Sequence, residues 1–224
     1  MSKMNQKDDS PVFSKLQLIA NLMILNVLWL LCSLPIVTIG ASTAALNYTC
    51  IKMRRDEGES IVRMFFHSFK TNIRPALILG TGFLAVLIIL TAGFIQTLGA
   101  INAGKTVSVV FAVLIVVLLF CWLVYFTYVF MTLSRFDNTI FRTLTNSMYF
   151  ALHNFISTLK ILGIESFGLI IIPLFLWRFI PALFVIVLMI GVPVTAYIIS
   201  KEFNDVIFAE YIPEPFDQAV PSQM

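Results

Sequence analysis

The sequence predicts an all-α fold, a polytopic membrane helical bundle with about five transmembrane helices and two cytoplasmic amphipathic helices. Of the 224 residues, 59% are hydrophobic and 12% are charged, whereas soluble domains carry about 25% charged residues. So few charges leave most of the protein surface to lipid. The apolar residues are also concentrated in runs of roughly the 20 residues that a transmembrane helix needs.

The predicted transmembrane domain covers residues 16–200. Its spans are about 16–39, 75–98, 107–133, 159–177 and 179–200. Residues 1–15 are a polar tail that we expect to be retained, because the first apolar run is too long for the core of a cleaved signal peptide. Pro35 removes one backbone hydrogen bond and should kink the first span near its end. The polar, acidic residues 201–224 are expected to form a tail that frays after a short helical start.

Two segments between the spans carry apolar residues at helical spacing and polar residues on the opposite face. They cover about 60–74 and 137–157, the second starting at Asp137 or Asn138. The first has a basic face formed by Arg63, His67, Lys70 and Arg74. A helix with this pattern tends to lie in the membrane interface, where its basic face could hold anionic lipid. The alternative is an ordinary amphipathic helix packed on the bundle.

The distribution of cations predicts the orientation of the chain. Ten of the fifteen lysines and arginines lie in the two connections with amphipathic helices and at Lys201, while five lie in the amino-terminal tail and the two short connections. Cytoplasmic segments carry the excess of such residues. Both amphipathic helices and the carboxyl-terminal tail are therefore expected in the cytoplasm, with the amino-terminal tail on the extracytoplasmic side.

The stretch from Asn21 to Asn47 is expected to be the packing centre of the bundle. Its candidates for close helix packing are Gly40, Ala41, Ser42 and Ala45. Small residues let helix backbones approach closely in lipid. Asn21 and Asn26 lie inside the first apolar run, where an amide exposed to hydrocarbon is costly. They should therefore face other helices, either as interhelical hydrogen-bonding residues or as the lining of a polar cavity.

Glu165 is the only acidic residue well inside a predicted span. An intramembrane carboxylate is a candidate for an ion or proton path. It lies only about 7 Å of helix rise from Lys160. The interpretation we favour is therefore an ion pair with Lys160, Arg135 or a cation of an interfacial helix.

The sequence contains no enzyme motif: no phosphate-binding glycine loop, zinc-protease histidine pair, nucleophile elbow or dinucleotide fingerprint. His67 and His153 are the only histidines, and nothing at suitable spacing completes the three or four ligands that zinc requires. We therefore expect no enzymatic activity, no metal, no cofactor and no nucleic-acid partner. The partner that the composition does predict is the lipid bilayer.

The run NVLWLLCSLPIVTIGASTAAL from Asn26 to Leu46, and the later FFHSFKTN from Phe65 to Asn72, resemble the YesL family of bacterial integral membrane proteins. The size of the chain and the order of its spans fit as well. The resemblance implies a bacterial cell-membrane protein without an established biochemical activity. Members of that family are often found beside carbohydrate-uptake transporters, which implies an accessory part in sugar uptake, with ABC-type sugar transporter subunits as partners. It transfers no functional residue to this chain.

These features predict two possible functions. The first is a non-enzymatic accessory or regulatory component associated with carbohydrate uptake. The alternative is a small transporter or channel that uses the intramembrane polar residues Asn21, Asn26 and Glu165. The two differ in whether those three side chains converge on a polar cavity, and neither predicts an oligomeric state.

Overall fold

The computed structural model describes residues 11–55, 60–172, 175, 178, 181–209 and 211, and for residues 11–14, 169–170 and 181–190 it describes the backbone alone. Within these ranges the chain is helical and contains no strand. The helices are α1 (Pro11–Ser33), α2 (Ile39–Arg54), α3 (Ile61–Asn102), α4 (Val107–Arg135), α5 (Ile140–His153), α6 (Phe155–Glu165) and α7 (Pro181–Glu202). A 3-10 turn, Ile36–Thr38, precedes α2, and π-helical turns follow α6 and α7 at Ser166–Ile171 and Phe203–Ile207.

Among the described residues, three helices are long and apolar enough to cross a membrane. They are Lys15–Ser33 within α1, Ile61–Asn102 and Val107–Arg135. Only 6% of the most apolar window of α4, and 11% of that of α3, is buried inside the protein. Surfaces so apolar and so little covered by the rest of the chain are suited to lipid. The predicted spans 159–177 and 179–200 fall partly outside the described residues, as do parts of both predicted tails (1–10, 210 and 212–224).

The first predicted span, 16–39, is wrong at its carboxyl end. Helix α1 stops at Ser33, and at Pro35 the helix breaks where a kink was expected. Pro35 has no N–H to continue the helix, and the residue before a proline disfavours the helical backbone. The Thr38 hydroxyl lies 2.6 Å from the carbonyl oxygens of both Cys32 and Pro35, to which it donates. A separate helix, α2, then carries the small residues.

The direction of the chain reverses at this break. The Trp29 indole Nε1 donates to the Thr43 hydroxyl at 3.3 Å, so α2 runs antiparallel to α1. Helix α2 is also antiparallel to α3, because Gly40 lies against Ala76 while the Tyr48 ring lies 6.1 Å from the His67 ring. The amino end of α1 is therefore at the same end of the bundle as the α2–α3 connection. The prediction that the amino-terminal tail and the basic connection lie on opposite sides requires α1 and α3 to be antiparallel, whereas these two helices run parallel in the structure.

The predicted interfacial helix 60–74 and the predicted span 75–98 are one continuous helix. Helix α3 has 42 residues and passes through Pro75, which gives it a length of about 63 Å. The hydrocarbon core of a bilayer is about 30 Å thick. A helix that lay flat in the interface would have to bend sharply before crossing, and α3 is unbroken there. Helix α3 is therefore about twice as long as the hydrocarbon core is thick.

The predicted span 107–133 corresponds to α4 within two residues, whereas the amphipathic helix 137–157 is divided. Helix α5 begins after Thr139, whose side chain accepts from the Arg142 amide, so neither Asp137 nor Asn138 is the cap. The chain leaves the helical backbone at Asn154 before α6 begins. The Asn154 amide nitrogen Nδ2 donates to the Phe150 carbonyl at 3.2 Å, a local bond of the kind that competes with helix continuation.

Helix α2 occupies the middle of the bundle and packs against α1, α3, α4 and α7. Ala41, Ala44 and Ala45 on α2 are completely buried. The start of the carboxyl-terminal tail is also part of the core. Phe203 and Phe208 are buried in a cluster with Tyr128 and Phe150, and the part of the tail that is expected to fray lies mostly outside the described residues.

Candidate functional site

Glu165 is the most deeply buried acidic side chain of the described residues, at 4% exposure. It lies at the last position of α6 and faces α4, where the Thr127 hydroxyl donates to its Oε1 oxygen. Its second oxygen, Oε2, is buried and has no hydrogen-bond partner among the described residues. A carboxylate in hydrocarbon with one oxygen unpaired is costly as an anion. Such a group is retained when it carries a proton or a cation.

The predicted ion pair between Lys160 and Glu165 is wrong. Lys160 Nζ lies 2.8 Å from Glu202 Oε1 at the end of α7, and the Ser157 hydroxyl donates to the same oxygen at 2.8 Å. Five residues on a helix turn through roughly 500°, so Lys160 and Glu165 lie about 140° apart around the axis of α6. The hydrogen bond from Lys160 lowers the pKa of Glu202, and partial burial opposes this shift.

The backbone after Glu165 is unusual. Ser166–Ile171 forms a π-helical turn, a geometry that is rare and frequently found at functional sites. Gly168 in this turn approaches α7 so closely that a β carbon on it would lie 2.5 Å from Thr195 Cγ2. Thr195 is held by its hydroxyl, which donates to the Gly191 carbonyl at 2.8 Å. Glu165 is therefore hydrogen-bonded to α4, and the turn that follows it is packed closely against α7.

The polar contacts near Glu165 do not form a continuous path through the described residues. On α4, Thr127 contacts Glu165, and the next residue, Tyr128, shares a hydrogen bond of 2.8 Å with Thr158. Thr158 and Glu165 are two turns apart on the inner face of α6. Between them lies Ile161, which is completely buried and apolar.

The two candidate asparagines lie elsewhere. Asn21 is half-buried and Asn26 is 5% exposed, both on α1, which packs against α2, α3 and α7. The Oδ1 oxygen of Asn26 is buried without a partner in the described chain. The hydrogen-bond partner of Glu165 is instead Thr127 on α4. The structure does not bring the three together.

The small residues of α2 form a close contact with neighbouring helices. Gly40, Ala41, Ser42 and Ala45 are all buried. A β carbon on Gly40 would lie 2.7 Å from the Ala76 carbonyl oxygen and 2.8 Å from the Phe130 ring. This contact places α2 directly on α3 and α4.

The basic face predicted on 60–74 is exposed in the structure. Arg63, His67, Lys70 and Arg74 all point away from the core. In the described chain, none of the three permanent cations of this face forms an ion pair with a carboxylate. No group of three or more His, Cys, Asp or Glu residues that could hold a metal occurs among the described residues.

An open apolar groove of about 410 Å³ lies between α3, α4 and α5. Its walls include Ile78 and Phe83 of α3, Trp122 and Tyr125 of α4, and Leu144 of α5. The sequence analysis did not find it, because it is formed by residues that are far apart in the chain. The only local signal is the glycine at position 82, which leaves space on the surface of α3.

The comparison with known families covers the first part of this architecture. Residues 22–94 match the family described as "Protein of unknown function, DUF624". The DUF624 match includes the chain reversal, the small-residue contact and the basic face, and it ends before α4. It covers less than half of the chain and leaves out Thr127 and Glu165. No curated protein and no solved structure matches the chain.

Proposed function

We propose that the protein is a non-enzymatic accessory component of the bacterial cell membrane, associated with an ABC-type carbohydrate transporter. The observation that carries this proposal is the packing around α2. Ala41, Ala44, Ala45 and Cys50 are completely buried, and the polar side chains that a conduit would use are dispersed over α1 and α6. A bundle with a closed centre and long apolar outer surfaces is suited to helix–helix association in lipid.

The proposed topology follows from the reversal at Pro35. Helices α1 and α2 enter the membrane and return as a pair, while α3, α4, the α6 segment and α7 cross it. This arrangement replaces the predicted five spans with four crossings and one returning pair. With the amino-terminal tail on the side of the α2–α3 connection, thirteen of the fifteen lysines and arginines lie on one side, all except Lys105 and Arg178. The positive-inside bias then makes both chain ends cytoplasmic.

Reporter fusions test the topology. A cytoplasm-active fluorescent protein and a periplasm-active phosphatase are each fused to the amino end, to the carboxyl end and after Ala103. Both ends should give the cytoplasmic signal, and the fusion after Ala103 should give the external one. An external signal from the amino end would restore the five-span arrangement.

The accessory function is tested by co-purification and uptake. The tagged chain is isolated from bacterial membranes in mild detergent, with an unrelated tagged multi-pass protein as the control. Permease subunits of a sugar transporter should be enriched only with this chain. A strain lacking the protein should take up the corresponding labelled sugar more slowly, and the intact gene should restore the rate. Unchanged uptake together with no enriched transporter subunit would refute the proposal.

A second candidate function rests on the unpaired oxygen of Glu165. In this alternative the protein is a small transporter whose flux depends on a proton or cation carried by that side chain. Proteoliposomes containing the purified protein would then pass a solute, and Glu165→Gln would abolish the dependence on the ion gradient. Glu202→Gln is the matched control, because Glu202 is paired with Lys160 at the end of α7. Liposomes that pass no tested sugar or ion favour the accessory function.

A further inference from the structure

The two side chains with polar groups that line the apolar groove between α3, α4 and α5 are Trp122 and Tyr125, both on α4. Trp122 Nε1 donates to the Phe83 carbonyl oxygen at 3.1 Å, and the Tyr125 hydroxyl donates to the Leu144 carbonyl oxygen at 3.1 Å. With these donors satisfied inside the protein, the groove offers a ligand only apolar surface. Its volume, about 410 Å³, is within the range of about 300–1,000 Å³ that small-molecule sites occupy.

The basic face of α3 leads directly into this groove. Lys70, Arg74, Ile78 and Gly82 follow one another at intervals of four residues, so each lies about 40° around the helix axis from the one before, and Arg74 is next to Ile78 on the surface of α3. Lys70 and Arg74 are exposed, and Ile78 and Gly82 line the groove. Arg74 precedes the first groove residue by about 6 Å of helix rise. Two exposed cations therefore lie at one end of the apolar groove.

We propose that this surface is a specific site for an anionic glycerophospholipid, with one acyl chain in the groove and the phosphate at Lys70 and Arg74. The ligand must be apolar along its length and negatively charged at one end, which is the chemistry of such a lipid. Clusters of basic residues next to transmembrane helices attract anionic headgroups. Arginine adds bidentate recognition of phosphate oxygens. A transmembrane helix of another protein would fill the groove but would not require the cations at its end.

Gly82 provides a way to close the groove without disturbing the fold. A β carbon at Gly82 has no other atom within 4 Å, and the same is true of Gly99 on the same helix. Gly82→Leu should therefore occupy the groove, and Gly99→Leu is its matched control outside the groove. For the charges, Lys70→Gln combined with Arg74→Gln removes the proposed headgroup site. Lys105→Gln is the control, because it removes a cation at the opposite end of α3.

The probe is quenching of Trp122 fluorescence by lipids with brominated acyl chains. The intact chain, with Trp29 and Trp177 replaced by Phe, is reconstituted in phosphatidylcholine bilayers that contain a small fraction of brominated phosphatidylglycerol or brominated phosphatidylcholine. Quenching by phosphatidylglycerol should occur at a lower fraction than quenching by phosphatidylcholine. Each basic residue near a membrane contributes about fivefold to anionic lipid binding, so the double Gln variant should lose on the order of tenfold or more of this preference.

The outcomes separate the possible occupants. Gly82→Leu should reduce quenching by both lipids, while Gly99→Leu and Lys105→Gln should behave like the unmodified protein. Equal quenching by the two lipids in the unmodified protein would overturn the proposal. A preference for phosphatidylglycerol that survives in the double Gln variant would do so as well. Because Lys70 and Arg74 are surface residues, this second result does not depend on how Gly82→Leu folds.

Discussion

Gly40 of α2 lies directly against the backbone of α3 at Ala76. A β carbon on Gly40 would be 2.7 Å from the Ala76 carbonyl oxygen, a distance at which the two atoms overlap. Gly80 lies one turn further along α3, and its own β carbon would meet the α carbon of Gly40 at 3.4 Å. The two helices therefore cross at their backbones, and the position of α2 in the centre of the bundle depends on this contact.

Gly40→Ala should destabilise the protein by about 1–3 kcal/mol, the usual cost of overpacking a well-packed core. The clashing atoms belong to the α3 backbone and to a buried ring, so neither can move aside cheaply. The measurement is the free energy of unfolding in mixed micelles, followed by tryptophan fluorescence. Gly163→Ala is the control, because a β carbon there meets no atom within 4 Å. If both variants were equally stable, the close contact would be contradicted.

The Gly168–Thr195 contact predicts a rescue. Gly168→Ala alone should lower the melting temperature, because the new β carbon overlaps Thr195 Cγ2. Rotating Thr195 away would break its hydroxyl hydrogen bonds to Gly191 and Val192. Thr195→Ser removes the clashing methyl group and keeps the hydroxyl, so the double variant should recover most of the loss. Additive effects of the two changes would show that the residues do not touch.

Asn26 and Asn72 should respond in opposite ways to replacement by Leu. Asn26 has a buried Oδ1 without a partner, so Asn26→Leu should raise the free energy of unfolding by about 1 kcal/mol through the removed desolvation penalty. The side chain of Asn72 donates to the carbonyl and hydroxyl oxygens of Ser68, both at 3.2 Å. Asn72→Leu should therefore lower the stability. A loss of stability at Asn26 would instead indicate a polar partner for that side chain.

The Lys160–Glu202 pair should give the stability a dependence on acidic pH. The pKa of Glu202 lies below its ordinary value of 4.5 in the folded protein, chiefly because of the hydrogen bond from Lys160. The stabilisation is therefore fully present above that ordinary value and is lost as the pH falls through the lower, folded value. Its size is below about 1 kcal/mol, as for other exposed pairs.

Lys160→Gln should flatten this acid dependence when unfolding midpoints are compared from pH 3 to pH 6. Lys201→Gln serves as the control, since it removes a neighbouring exposed cation without touching the pair. Parallel curves for the unmodified chain and for Lys160→Gln would show that the pair does not contribute.

The features that the sequence predicted correctly are those with local causes. Helix α4 was placed within two residues because its apolar run is bounded by Lys105 and Arg135. The exposed cations of α3 follow from helical periodicity, which one segment shows by itself.

The errors arose where a long-range contact decided the outcome. Glu165 was expected to pair with Lys160, Arg135 or a cation of an interfacial helix, but its hydrogen-bond partner in the structure is Thr127, which is 38 residues away. The direction of α2 after Pro35 is set by packing such as the Trp29–Thr43 hydrogen bond, and nothing in the local sequence encodes it. Continuation of α3 through Pro75 likewise depends on neighbours that stabilise the interrupted helix.

The sequence by itself determined that this chain is helical, that it has helices long and apolar enough to cross a lipid bilayer, and where its cations lie along each helix. Composition and periodicity act on each segment separately, so these properties need no knowledge of the fold. Only the tertiary structure decided that both ends of the α1–α2 pair lie at one end of the bundle and that Glu165 is buried against α4. It alone also decided that the basic face of α3 lies next to an apolar groove. Those arrangements depend on contacts between side chains that are distant in sequence. The pattern of one segment does not specify which other segments pack against it.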